Sequence, residues 1–195
     1  YVVAFSGGKD SVVVLDLVRR SSCKHSALYS LTTVDPPELV HFIKREYPDV
    51  AWHRPEKSMW QLIVEHGIPP LRRMRYCCRT LKEESTTNCH VVTGVRAAES
   101  RKRAERADIT GACAKLGTHV VNPILDWLDG DVWDYIRERR LPSCELYREG
   151  WKRIGCILCP FSNQQREAAR WPKIAMAYRR ACRRAFAKPR EDKPP

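Results

Sequence analysis

The sequence predicts an α/β fold in which helices cover a doubly wound, parallel β-sheet. Short β-branched runs alternate with longer amphipathic segments over the first 125 residues, and polar or Gly-rich turns separate them. A length of 195 residues suits one domain with a substantial core. We expect this domain to span residues 1–187, with a sheet core over 1–125, a mainly helical and basic part over 126–187, and a disordered tail over 188–195.

The strands and helices follow from the order of these segments. Tyr1–Phe5 is an apolar strand, and a helix follows a polar turn. Further strands are predicted over 27–33, 50–52, 90–93 and 118–124. Further helices are predicted over 38–47, after a Ser58 cap up to Gly67, from an Asp129 cap through Arg140, and from a Ser162 cap with an interruption at Pro172.

The turn after the first strand has the composition of a phosphate-binding loop. It consists of Ser6, Gly7, Gly8, Lys9, Asp10 and Ser11. Adjacent glycines let the backbone approach a ligand closely, and the first amides of the next helix point outward with the positive end of its dipole behind them. The pattern is neither a Walker loop nor a dinucleotide fingerprint, because Asp10 follows Lys9 and no third glycine is present. The alternative is an ordinary glycine turn.

Other polar residues follow the predicted strands at the same edge of the sheet. Asp35 follows the second strand, and Gly94 and Arg96 follow the strand over 90–93. Ligands of parallel sheets bind beyond the carboxyl ends of the strands. We therefore expect these residues to line the same site as the glycine turn.

The cysteines indicate metal binding in a reducing compartment. The chain has nine, and it shows no signal peptide and no apolar run long enough for a membrane span, so we expect a cytoplasmic protein without disulfides. Two pairs stand out, Cys77 with Cys78 and Cys156 with Cys159. Vicinal side chains diverge, which suits one tetrahedral zinc poorly, whereas an iron–sulfur cubane spreads its ligands over four irons. Zinc and four free thiols are the alternatives.

The glycine turn and several other segments carry a family resemblance. The turn resembles the pyrophosphate loop of the ATP pyrophosphatase superfamily, the adenine-nucleotide alpha hydrolases. Within it, the chain is similar to the phosphoadenosine phosphosulfate (PAPS) reductase family, in its branch with a [4Fe–4S] cluster. The segments that carry this resemblance are 75–82, 94–96 with Glu99 and Ser100, Trp133, and 153–161.

This resemblance implies roles for the site residues. The backbone of Gly7 and Gly8, with Lys9, Ser6 and Ser11, binds the pyrophosphate end of ATP, and Asp10 helps to hold Mg²⁺. Asp35 and Arg96 lie where ribose or the α-phosphate binds. The four paired cysteines Cys77, Cys78, Cys156 and Cys159 ligate the cluster, with Cys144 as a possible substitute.

The chain also departs from the family. Sulfate-activating reductases have a C-terminal Glu-Cys-Gly-(Ile/Leu)-His segment that this sequence lacks, and Cys182 lies on an apolar stripe that indicates a core residue. We therefore favour an ATP pyrophosphatase that adenylylates an acceptor for sulfur transfer, similar to components of DNA phosphorothioation systems that work with a cysteine desulfurase. The split cysteine pairs differ from those enzymes. The alternatives are an adenylyl sulfate or PAPS reductase, a tRNA-thiolating enzyme, and an ATP-sensing DNA-binding subunit without turnover.

The charge distribution favours a nucleic-acid partner. The formal net charge is +12, and residues 148–190 contain twelve Lys or Arg against two Glu. A helix in this region keeps four arginines off its apolar stripe: Arg179, Arg180, Arg183 and Arg184. DNA is the expected partner. A solvated face or a protein partner are the alternatives.

Overall fold

The computed structural model describes residues 1–105, 108–113 and 117–187, and the tail over 188–195 lies outside this range. Its strands are β1 Val2–Ala4, β2 Ser26–Ser30, β3 Ala51–His53, β4 His90–Val92, β5 Thr110–Cys113 and β6 Thr118–Val121. Its helices are α1 Lys9–Arg20, α2 Pro37–Glu46, α3 Met59–His66, α4 Tyr76–Cys78, α5 Arg101–Ala104, α6 Asp129–Glu138, α7 Gln164–Arg170 and α8 Pro172–Ala187. A π-helix over Arg79–Glu83 continues α4, and short 3₁₀ turns span Glu84–Thr86, Ala97–Glu99 and Glu145–Tyr147.

The strands form one sheet in the order β3-β2-β1-β4-β6-β5. Strand β1 pairs in parallel with β2 on one side and with β4 on the other, with Val3 opposite Ala27 and Val92. The chain therefore builds outward from β1 to β3 and then returns to the other side of β1. This reversal leaves a crevice beyond the carboxyl ends of β1 and β4, which is the usual ligand site of such sheets. The predicted doubly wound α/β class is confirmed.

One edge of the sheet differs from the prediction of a wholly parallel sheet. Strand β5 runs antiparallel to β6, with Gly111 opposite Val120. The sequence of β5 gave no strand signal because Thr110, Gly111 and Ala112 are all exposed and therefore carry no alternating apolar pattern. No strand was therefore predicted over these residues.

Some of the predicted helix caps are confirmed, and others are wrong. Ser58 caps α3 in a reciprocal capping box with Gln61, and Gly67 ends this helix with a φ of 69°. Asp129 is not a cap but the first residue of α6, whose N-cap Leu128 donates its N–H to Asp131 at 2.7 Å. Asn163 caps α7 in place of Ser162.

Further boundaries also differ from prediction. Helix α8 begins at Pro172, because proline suits the first turn of a helix. The strands over 27–33 and 118–124 end early, at Ser30 and Val121.

The core consists of two apolar clusters. The first is formed by β1, β2 and helices α1, α2 and α6, with fully buried Val13, Ile43 and Val132. The second joins α3 to α8 through Ile63, Leu81 and Ala181. No helix in the described residues is both long and apolar enough to cross a membrane.

Helix α2 packs directly beneath the turn after β1. Gly7 has a φ of +71°, and a Cβ at this position would lie 2.8 Å from side-chain atoms of Leu39 and Ile43. Gly8 has an extended φ of −77°. A Cβ on Gly8 would meet no atom closer than 3.4 Å. The fold therefore requires glycine at position 7 much more strongly than at position 8.

We predict that Gly7→Ala lowers the free energy of unfolding by roughly 2–3 kcal/mol, because the left-handed backbone strains an L-residue and the tips of Leu39 and Ile43 must shift. The matched control Gly8→Ala should cost no more than about 1 kcal/mol, the loss expected from a poorer helix cap. Urea unfolding followed by circular dichroism measures both. Equal losses in the two variants would contradict this account of the loop.

Candidate functional site

The turn over Ser6–Ser11 lies in the crevice where the strand order reverses. Strand β4 delivers Gly94 to the same place, and a Cβ on Gly94 would lie 3.1 Å from backbone and side-chain atoms of Asp10. The loops after β1 and β4 therefore touch, as the sequence predicted. Only a residue without a side chain allows this approach.

The loop presents hydrogen-bond donors at the start of α1. Ser11 Oγ accepts the Ser6 N–H at 3.1 Å and donates to the Gly8 carbonyl at 2.9 Å, which closes the loop on itself. The first-turn N–H groups of Asp10 and Ser11 have no acceptor among the described residues. The Lys9 N–H donates to the Tyr147 hydroxyl at 2.8 Å. An anion at this helix end would meet free amides and the hydroxyl of the partly buried Tyr147.

Beside the loop, four charged side chains form a compact network. Lys9 and Arg96 are nearly buried, with side-chain exposures of 4% and 5%. Asp10 Oδ1 lies 3.0 Å from Lys9 Nζ and 2.7 Å from Arg96 Nε. Asp129 Oδ1 lies 2.8 Å from Lys9 Nζ and 2.9 Å from Arg96 Nη2, so one oxygen bridges both cations. The hydrogen bond from Lys9 lowers the pKa of Asp129.

This network has a consequence for phosphate binding. The two cations face two carboxylates, and Asp129 is 64% exposed, so it is the member that an incoming anion can displace. Asp10 is bound by both cations and by comparison only 24% exposed. A Mg²⁺ ion bound to Asp10, as predicted, would therefore compete with the fixed positive charges of Lys9 and Arg96.

More arginines lie at the mouth of this site. Burial lowers the pKa of Arg103, and the neighbouring positive charges of Arg153, Arg75 and Arg96 lower it further. Arg103 is paired with Glu99, whereas Arg75 and Arg153 are exposed and make no ion pair with any described residue. Arg75 lies two residues before Cys77, and Arg153 lies three residues before Cys156. Positive charge is therefore present near both the loop and the cysteine pairs.

The structure brings the two cysteine pairs together. Arg72, upstream of Cys77, donates to the Pro160 carbonyl at 3.0 Å, and the Arg75 guanidinium lies 5.5 Å from the centre of the Phe161 ring. Cys77 and Cys156 pack against the same apolar cluster. The segments that carry the two pairs are therefore neighbours, as the sequence predicted.

The thiols also influence each other electrostatically. The Cys77 thiol donates a hydrogen bond to Cys78, which lowers the pKa of Cys78 and raises the pKa of Cys77. Cys156 and Cys159 raise the pKa of Cys77 further. Burial raises the pKa of Cys156, and the charge of Lys82 opposes this effect. The Cys156 charge in turn raises the pKa of Lys82.

Asp35 lies near Cys156, whose pKa its charge raises. Its Oδ2 accepts the Thr32 N–H at 2.6 Å, and its charge acts on both Lys82 and Tyr29. Burial raises the pKa of Tyr29. The hydroxyl groups of Tyr29 and Thr32 are buried, Tyr29 beside Asp35 and Thr32 beside Cys156. This end of β2 is therefore a polar recess next to Cys156.

The turn between Cys156 and Cys159 is held by α7. Leu158 has a φ of 62°, and its N–H donates to Glu167 Oε2 at 2.6 Å. Ser162 Oγ donates to the same carboxylate oxygen at 2.7 Å and also contacts the Cys159 carbonyl at 2.8 Å. Burial raises the pKa of Glu167. Hydrogen bonds to the Glu167 carboxylate and from the Ser162 hydroxyl therefore fix the conformation of this turn.

The four paired cysteines were predicted to bind metal. No group of three or more His, Cys, Asp or Glu in the described residues is arranged to hold one metal ion. A cubane binds each thiolate at a different iron and accepts wider spacing. The proposed substitute Cys144 is fully buried in the other apolar cluster, which contains neither Cys77 nor Cys156.

The arginine-rich helix matches its sequence pattern. Helix α8 buries Ala175, Ala181 and Ala185. It exposes the four arginines Arg179, Arg180, Arg183 and Arg184, none of which forms an ion pair with a described residue. Cys182 is only partly buried, and Tyr178 lies close enough to Cys77 and Cys159 for their charges to raise its pKa, after the larger effect of burial. Helix α8 therefore borders the thiol region through Tyr178.

Three residues of the site did not emerge from the sequence. Tyr147 lies 138 positions from Lys9 and has no motif. Asp129 was predicted only as a cap. Lys82 follows Cys78 by four residues, and this helical spacing could have placed it beside the thiols.

Comparisons with known proteins concern the family and the fold. The chain is 27% identical over 184 residues to an adenosine 5'-phosphosulfate reductase of Oceanobacillus iheyensis, covering 87% of this chain and 76% of that protein. Its fold is similar to that of a PAPS reductase from Candida auris, with a TM-score of 0.58, 20% identity and 80% of each chain covered.

A second solved structure shares the fold. It is the U34-tRNA thiolase NcsA from Methanococcus maripaludis, which holds a [4Fe–4S] cluster, with a TM-score of 0.51, 14% identity, and coverage of 99% of this chain and 74% of that one. Both structural likenesses concern the fold alone. The family model for the phosphoadenosine phosphosulfate reductase domain matches residues 1–162, and the chain belongs to this family.

Proposed function

We propose that this protein cleaves ATP between the α- and β-phosphates and transfers the adenylyl group to an acceptor that then receives sulfur. The observation that carries the proposal is the continuity of the site. The loop has free helix-end amides. Arg103 lies close enough to Asp10 and Arg96 of the loop network, and to Arg75 and Arg153 near the cysteine pairs, for all four charges to act on its pKa. Family membership supports a nucleotide substrate.

The chain's own residues would act on the leaving group. An acceptor oxygen attacks the α-phosphorus, the bond from that phosphorus to the bridging oxygen breaks, and pyrophosphate leaves with the electron pair. The amides of Asp10 and Ser11 and the Lys9 ammonium stabilise the charge that develops on pyrophosphate. Arg96 is placed to neutralise the α-phosphate once Asp129 is displaced.

The residues do not fit a protein-held Mg²⁺. Asp10 and Asp129 are both bound to cations, and no group of three carboxylate or other ligating side chains in the described residues can hold an ion. A magnesium ion would therefore enter with the nucleotide phosphates, and we assign it no step.

The cysteines fit a [4Fe–4S] cluster held by Cys77, Cys78, Cys156 and Cys159. When bound, such a cluster supplies an electron-transfer or sulfur-carrying centre. Lys82 adds positive charge beside Cys156, which compensates the negative charge of thiolates. A cysteine desulfurase is the class of partner that would supply the sulfur.

A second candidate activity is the reduction of adenylyl sulfate, and the sequence similarity to an adenosine 5'-phosphosulfate reductase favours it. The two activities differ in their products. ATP cleavage yields pyrophosphate, whereas reduction of adenylyl sulfate yields AMP and sulfite. A subunit that only senses ATP would bind the nucleotide and give neither product.

We predict that the wild-type protein releases pyrophosphate from ATP. Lys9→Ala should lower kcat by roughly 10²–10³-fold, because the cation on the leaving group is lost. Pyrophosphate and sulfite assays with ATP and with adenylyl sulfate measure this. Lys57→Ala is the control, because Lys57 forms only an exposed ion pair with Glu65 in α3. Formation of ADP and phosphate would contradict the proposal, and sulfite from adenylyl sulfate without pyrophosphate from ATP would establish the reductase.

We predict that protein purified without oxygen is brown and contains roughly four irons per chain. Serine at Cys77, Cys78, Cys156 or Cys159 should reduce the iron content, because each thiolate binds one iron. Cys144→Ala should retain the iron, since Cys144 lies in the other core cluster. Metal analysis and visible absorption measure both. One zinc in a colourless protein would refute the cluster.

The acceptor that we favour is DNA. The four exposed arginines of α8 lack ion pairs with described residues, so they are available to phosphates. Two of them, Arg180 and Arg184, line a groove of about 610 Å³ between α3 and α8, together with Trp60. Contacts of this kind bind the backbone and not a particular base sequence.

We predict that duplex DNA binds and that the affinity falls with salt, by about 0.9 decades per decade of salt for each phosphate contact. Glutamine at Arg179, Arg180, Arg183 and Arg184 should flatten this slope and leave ATP cleavage nearly intact. The matched control replaces four arginines that already form ion pairs, Arg19, Arg45, Arg137 and Arg139. Fluorescence anisotropy over a salt series measures both. Absence of DNA binding at low salt would remove the support for a DNA acceptor.

A further inference from the structure

A backbone N–H of the pyrophosphate loop donates a hydrogen bond to a side chain from a distant part of the chain. Tyr147 ends the 3₁₀ turn after α6, and its hydroxyl oxygen accepts the Lys9 N–H at 2.8 Å. The same oxygen lies 3.5 Å from the position of a Cβ on Gly8, directly over the loop. The ring packs edge-on against Trp133 with centroids 5.0 Å apart. The hydroxyl is therefore held at the N-terminus of α1 by packing from the C-terminal half.

This contact leaves the hydroxyl with an unused donor. A phenol can accept hydrogen bonds and donate one, and here it accepts the Lys9 amide while no acceptor for its own proton lies in the described part of the chain. Burial raises the pKa of Tyr147, and the charges of Asp10 and Asp129 raise it further, so the group stays protonated at neutral pH. A neutral donor beside two free amides suits an anionic oxygen.

We propose that the Tyr147 hydroxyl is a phosphate-contacting group, which accepts the Lys9 N–H and donates its proton to an oxygen of the pyrophosphate moiety. The positive end of the α1 dipole thus acts on the ligand through the Tyr147 hydroxyl, which is bound to the Lys9 N–H. It also acts directly through the amides of Asp10 and Ser11. This inference rests on the proposed function for its nucleotide ligand, but the contact itself is to pyrophosphate.

An alternative geometry predicts the opposite change in pyrophosphate affinity when the hydroxyl is removed. If the phenol merely occupies the place of a phosphate oxygen, its hydroxyl competes with the ligand for the Lys9 N–H. Removing the hydroxyl would then free this amide and strengthen binding. The two cases can be separated by the direction of one change in affinity.

The experiment is calorimetric titration of inorganic pyrophosphate into the full chain, with Tyr147→Phe as the test variant. The matched control is Tyr135→Phe, since the Tyr135 hydroxyl also ties α6 to α1 but contacts Asp16 at 2.8 Å and Arg20 at 3.1 Å, away from the loop. We expect Tyr147→Phe to weaken pyrophosphate binding by roughly 10–100-fold, the range for a hydrogen bond to a charged group. Tyr135→Phe should leave the affinity unchanged.

Unchanged or tighter binding by a folded Tyr147→Phe variant, with a Tm close to that of Tyr135→Phe, would overturn the inference. Equal weakening in both variants would also overturn it, because the loss would then come from loosened packing of α1. Measuring ATP cleavage by the wild-type protein in parallel separates the two proposals. Weakened pyrophosphate binding without any ATP cleavage would support the contact and reject the proposed reaction.

Discussion

The site depends on the buried charges around Lys9. Lys9 and Arg96 are taken almost completely out of water, and burial of unpaired cations is expensive, so Asp10 and Asp129 must accompany them. This requirement joins the start of α1, the segment after β4 and the start of α6 at one point, because each contributes at least one member of the network. The same arrangement gives the site its anion affinity. An exposed carboxylate oxygen that bridges two cations occupies a position that a phosphate oxygen can take, so stability and binding use the same charges.

The parts of the fold that follow local rules could be predicted from the sequence. The Ser58 capping box, the glycine that ends α3 and the loop after β1 each depend on a few neighbouring residues. Strand β5 could not be predicted, because exposed Thr110 and Gly111 pack no face against the core, and their pairing with β6 is a tertiary effect. The cap of α6 was misassigned because Asp131, and not Asp129, receives the Leu128 N–H.

The candidate site also has some residues that could be predicted from the sequence and others that could not. The glycine loop, Arg96 and the two cysteine pairs lie in recognisable motifs, and the structure brings them into one region. Tyr147 joins the site only because the turn after α6 folds back onto α1, and no spacing in the sequence encodes that contact. Glu167 is similar, since its role appears only when α7 is packed against the turn at Leu158. Motifs reveal groups that carry chemistry, whereas the residues that hold those groups are determined by packing.

The π-helix after the vicinal cysteines makes their placement sensitive to chain length. Each residue of an α-helix turns the chain by about 100°, and a π-turn accommodates one residue more than an α-turn. The π-helix over Arg79–Glu83 thus accommodates one residue more than an α-helical turn would, and it includes the fully buried Leu81. A chain that lost this additional residue would keep its core anchor at Leu81 and rotate both thiols away from Cys156. Insertions and deletions, and not only substitutions, therefore decide which chains with this architecture can assemble a four-thiol site.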